Sequence, residues 1–170
     1  MFNRADIEKY FNAEKSESLL FLLIGVAAII AAICFYLFSK TNFFKGAAFP
    51  LLLIGLLLGM VGFTVYKKSD GDRIRNVYAY DLNPSELKDK EIPRMQKIMK
   101  NFTVYRYTEI ILALIGAVLF FYFGTNNNRQ FWKGVGLGLV VMALIALPAD
   151  YFAEKRGAGY LQGLITHFNK

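Results

Sequence analysis

Up to about position 18 the chain mixes apolar and charged residues; from 19 to 38 it carries no charge at all. At about 1.5 Å per residue that run covers the roughly 30 Å hydrocarbon core of a bilayer, so 19–38 reads as a membrane-crossing helix. A second uncharged run, 47–66, is rich in Leu and Ile. At roughly 0.3 to 0.6 kcal/mol for each such residue, its insertion is favourable by several kcal/mol. The third and fourth are strictly apolar only over 110–123 and 134–149. They reach spanning length, as 105–123 and 132–152, by adding Tyr105, Tyr107, Thr108, Tyr151 and Phe152, and aromatic ends of that kind suit the headgroup level. The pattern predicts an all-α integral membrane protein with four transmembrane helices.

The four helices fall into two similar hairpins. A shift of 91 positions lays Ile7, Lys9, Phe11, Leu23, Ile24 and Gly25 on Ile98, Lys100, Phe102, Leu114, Ile115 and Gly116. A shift of 88 lays Phe43, Lys45 and Gly46 on Phe131, Lys133 and Gly134. Each half runs amphipathic segment, span, short outer loop ending in an aromatic-x-Lys-Gly sequence, span, and basic stop. The expected units are 1–82 and 83–170, sharing one orientation because each holds an even number of spans.

Before each hairpin the period changes. In the first segment Asn3 is a candidate N-cap with Asp6 at the third helical position, Phe2 can close on Ile7, and Ile7, Tyr10, Phe11 and Glu14 fall along one stripe. In the second, Pro93 suits a first helical turn, with Met95, Ile98, Met99 and Phe102 on one face and Arg94, Lys97 and Lys100 mostly off it. Both read as amphipathic helices lying in the membrane interface. Asn83-Pro84 marks a turn, followed by a short helix from Ser85. The connection 67–104 is therefore structured, though too small to fold alone.

Composition and charge fix class and orientation. Of 170 residues 55% are hydrophobic, and the net charge of +7 comes from basic residues flanking apolar runs, which points to lipid contact and no nucleic acid. The outer connections 39–46 and 124–133 hold only Lys40, Lys45, Arg129 and Lys133 of the twenty Lys and Arg. Both termini and the central segment are thus expected in the cytoplasm, in a cell inner membrane. Cys34 is the single cysteine, so one chain can build no disulfide framework, CxxC pair or cysteine metal site. The charged stretch before the first apolar run argues against a cleaved signal peptide.

Little of the remaining sequence carries chemistry. Glu109 and Asp150 are the carboxylates close enough to a span to be partly dehydrated, and Arg106 lies one turn from Glu109. An interfacial ion pair of Arg106 with Glu109 or Asp150 is the expected arrangement; a proton or cation site is the functional alternative. Gly55 with Gly59, and Gly134 with Gly138, give each hairpin a GxxxG spacing suited to close helix crossing, within the bundle or across a homodimer. Ser16, Ser18 and Thr108 read as helix-end residues. No catalytic, cofactor-binding or metal-binding residues emerge: His167 stands alone near the C-terminus, and no P-loop, GxGxxG or GxSxG is present.

The expectation is a non-enzymatic membrane protein without cofactors, acting through protein contacts. Its partners would be the bilayer and a membrane or secreted protein, for which it serves as accessory subunit or immunity-type protective partner. The alternative is a small homodimeric channel or transporter.

Overall fold

A computed structural model describes residues 2–124 and 129–169. Of the expected second outer connection, 125–128 lie outside the described residues. The described chain is helical: α1 Arg4–Phe38, α2 Asn42–Leu82, a short α3 Pro84–Glu86, a π-helical turn Leu87–Glu91, α4 Ile92–Tyr122 and α5 Gln130–Phe168. Four helices, the third counted from Pro84 through Tyr122, are long and apolar enough to cross a membrane.

The helices are longer than a membrane requires. α2 has 41 residues, about 60 Å at 1.5 Å per residue, twice the hydrocarbon thickness. Each helix therefore has an apolar half and a charged half, and the four charged halves meet at one end with both termini. This corrects two expectations. Residues 4–14 are no separate interfacial helix: Asn3 caps α1, its Oδ1 accepting from the Asp6 amide at 3.2 Å while Asp6 Oδ2 accepts from the Asn3 amide at 2.9 Å, and the helix runs on without a break into the span. The segment from Pro93 likewise continues as α4. Residues 153–168 are the charged half of α5.

The helix expected from Ser85 begins one residue earlier, where Asn83 closes α2 and opens α3. Its continuation into α4 widens to a π turn just before Pro93, with the Ile92 amide bonded to the Leu87 carbonyl. A proline ring crowds the carbonyl four residues back, and the wider turn relieves that contact.

The apolar stripes expected to face lipid are buried among the charged halves. Ile7, Tyr10 and Phe11 from α1, Ala79 from α2, Leu87, Met95 from α4, and Tyr160 and Leu164 from α5 form one core. Phe2 packs edge-on to Tyr80 and also meets the rings of Tyr160 and His167. Within the apolar halves the buried cluster is smaller, Ile54, Met142 and Ala146.

By backbone approach the helices form an open row rather than a closed ring: α1 lies on α2, α2 on α5, and α5 on α4, while α1 meets α4 through side chains, as where Tyr10 reaches the Met95 sulfur. Glycines set these approaches. A Cβ on Gly25 would stand 2.6 Å from the Gly59 amide nitrogen, and one on Gly55 2.9 Å from the Gly25 carbonyl oxygen. In the second hairpin, a Cβ on Gly116 would lie 2.7 Å from the Gly136 carbonyl oxygen. Between hairpins, a Cβ on Gly46 would overlap the Phe131 carbonyl and one on Gly134 the Phe43 carbonyl. Small residues of this kind let backbones touch where lipid provides no hydrophobic drive to association.

Candidate functional site

Two groups of polar residues stand out, one in the charged half and one where α4 and α5 enter their apolar stretches. The first begins with a ladder between α1 and α2, where Arg4 meets Asp81, the Arg73 guanidinium donates to Asn12 Oδ1 at 2.8 Å, Ser69 donates to Glu14 at 3.2 Å, and Lys15 pairs with Asp70. These pairs fix the register of the hairpin beyond the span.

Deeper in, Tyr10 and Tyr160 stack with ring centres 4.1 Å apart and planes 7° from parallel. The Tyr10 hydroxyl donates to Glu14 at 3.1 Å. Arg156 lies over the Tyr10 ring and pairs with Glu17. Arg94 grips Glu91 with two bonds, 2.8 and 2.6 Å, and Glu91 is only 2% exposed. Burial, then the nearby Glu14 charge, pushes the Tyr10 hydroxyl up from its ordinary range. Burial, then the Glu91 charge, does the same to Tyr160. Burial also raises the Glu14 carboxyl, against the pull of Arg94. Phe2, Lys9, Tyr10, Arg156 and Tyr160 line a cleft of about 510 Å3. Sequence reasoning placed Tyr10 and Glu14 on one stripe but missed the cluster, whose signal is a carboxylate at helical spacing on an otherwise apolar face.

The second group contains the charged residues singled out above. Glu109 and Asp150 lie against each other, close enough for a hydrogen bond if one of them carries a proton. The expected ion pair of Arg106 with either is not formed. Arg106 Nη2 instead donates to both carboxylate oxygens of Glu154, at 2.6 and 2.7 Å. Phe102, Leu147 and Tyr151 complete a cavity of about 160 Å3 around them.

Gly55 lies in the α1–α2 crossing, and the Gly59 backbone is approached there by Gly25 although its own Cβ position is open. Gly134 and Gly138 lie in the α2–α5 crossing, where a Cβ on Gly138 would be 3.0 Å from the Ala47 carbonyl oxygen. Ser16, Ser18 and Thr108 are within helices, not at their ends, each hydroxyl donating to a carbonyl three or four residues back. His167 packs among rings, 5.5 Å from Tyr80. Among the described residues no group of three or more His, Cys, Asp or Glu is arranged to hold a metal ion. Comparison with known proteins finds no matching family model, curated protein or solved structure.

Proposed function

We propose that this chain is a non-enzymatic multi-pass protein of a cell inner membrane, with both termini and the charged half in the cytoplasm, acting through contacts with other proteins. Its role would be accessory subunit or immunity-type protective partner to a membrane or secreted protein. The orientation is supported by the charge count, since only four of twenty Lys and Arg lie at the opposite end.

The observation that carries the contact reading is the open row of helices. Among the long helices the α4 backbone closely approaches α5 alone, and only 6% of its apolar window is buried. A face that includes Ile111, Leu114, Val118 and Phe121 is thus free to meet another protein's helix. The seam between the hairpins is closed by backbone contact at Gly46 and Gly134, leaving no width there for a water-filled path. A photocrosslinking residue at Leu114 or Val118 tests the reading in cells. It is supported by one recurrent membrane or secreted protein in the adduct, and opposed by adducts to lipid alone.

A second reading, a small homodimeric channel or transporter, is favoured by the Glu109–Asp150 cavity. Purified protein in liposomes would then pass protons, common ions or cationic dyes, and Glu109→Gln or Asp150→Asn would abolish the flux. Absence of flux in the unaltered protein would remove this reading.

We also read 1–82 and 83–170 as two copies of one hairpin unit. The support is the reciprocal approach of Gly46 and Gly134, the matching glycines of the two aromatic-x-Lys-Gly sequences. The copies have drifted in register: Gly25 rests against Gly55 and Gly59, whereas Gly116 rests against Gly136 and Val140.

A further inference from the structure

Glu109 on α4 and Asp150 on α5 bring two carboxyl groups together at the charged edge of the apolar stretches. Glu109 is only 9% exposed, and its Oε2 is closed off from solvent with no hydrogen-bond partner among the described residues. Such an atom is costly to bury, and two negative charges side by side in apolar surroundings are costlier still. The cation nearest to hand is committed elsewhere, because Arg106 bonds both oxygens of Glu154. The titratable groups that α4 and α5 turn to this cavity are Arg106, Glu109, Asp150, Tyr151 and Glu154, and its other walls are Phe102 and Leu147.

We propose that Glu109 and Asp150 take up one monovalent cation between them, a shared proton or an alkali ion in its place. A proton turns one carboxyl into a donor, so the pair gains a hydrogen bond and loses its repulsion together. An alkali ion does the same by direct contact with carboxylate oxygens. The cavity, about 160 Å3, exceeds the roughly 30 Å3 that one water occupies in the liquid, which leaves room for an ion with a water beside it. Two facing carboxylates match a single positive charge, and no group of three or more acidic, His or Cys side chains is arranged for a divalent ion among the described residues. The inference rests on the four-span reading and on neither of the two roles set out above.

The test treats the full chain in detergent micelles with dicyclohexylcarbodiimide, which attacks protonated carboxyls in apolar surroundings, and locates adducts by peptide mass spectrometry. From about pH 5 to about pH 9 the adduct at Glu109 or Asp150 should exceed that at the exposed Asp89 roughly tenfold and fall as pH rises. Protection by sodium, where choline at equal ionic strength gives none, identifies an alkali ion; labelling indifferent to sodium identifies the proton. Asp150→Asn should shift the pH dependence of Glu109 labelling to lower pH and abolish any sodium protection. No adduct at either carboxyl at any pH, combined with a Tm unmoved by sodium, would overturn the proposal. Labelling of Glu109 with an unchanged pH profile in Asp150→Asn would also overturn it.

Discussion

Gly46 and Gly134 occupy reciprocal places: a Cβ on either would enter the backbone of the opposite helix, at Phe131 and Phe43 respectively. The contact joins the two hairpins at the end away from the termini, and in each half it is made from an aromatic-x-Lys-Gly sequence.

Enlarging either glycine must push α2 and α5 apart, since the obstructing atoms are backbone and cannot swing aside. Gly46→Ala and Gly134→Ala should each destabilise the protein by about 1 to 3 kcal/mol, the range for overpacking a fitted interface. Gly71 and Gly159 have nothing within 4 Å of an added Cβ. Gly71→Ala and Gly159→Ala should be neutral or stabilising by up to about 1 kcal/mol through helix propensity. Unfolding in micelles, followed by circular dichroism, separates the two classes.

Glu91 is buried and held at both oxygens by Arg94. Arg94→Met leaves that carboxylate without its cation and should cost about 3 to 5 kcal/mol, whereas Glu91→Leu combined with Arg94→Met should recover most of the loss. A double-mutant cycle on the same unfolding signal measures the coupling. Two independent and additive single effects would contradict it.

Glu14 and Asp70 give opposite dependences on pH. Burial raises the folded value of Glu14 above its ordinary 4.5. The folded protein then holds more protons than the unfolded chain, so this contribution is fully present below 4.5 and is lost as pH rises through the folded value. Asp70 is held down by its hydrogen bond to Lys15, so its contribution is present above 3.8 and is lost as pH falls through the folded value. Glu14→Gln should flatten the slope above about pH 4.5 and leave the acid limb in place. Denaturant midpoints taken across pH check both limbs.

The four long apolar helices were legible because apolar runs of bilayer length have few alternative explanations, and Asn3 with Asp6 announced the start of α1 correctly. The helix extensions were not. Period alone cannot distinguish a stripe that faces lipid from one that faces other helices, so Ile7, Tyr10 and Phe11 read as interfacial although they form a protein core. In the same region the Met99 side chain packs against Gly157 and the Phe2 ring against Gly163. In the charge cluster the sequence supplied the residues but not the pairing. Glu154, a further turn along α5 from Asp150, is the group that captures Arg106.

Membrane topology is the most direct test of the four-span arrangement. In a background with Cys34→Ser, single cysteines replace Asn3, Thr41, Lys88 and Thr166 in turn, and each is labelled in intact cells and in inside-out vesicles with a membrane-impermeant maleimide. The cysteines at 3, 88 and 166 should react only in inside-out vesicles and the one at 41 only in intact cells. Reaction of the cysteines at 3 and 88 from opposite sides would contradict that arrangement.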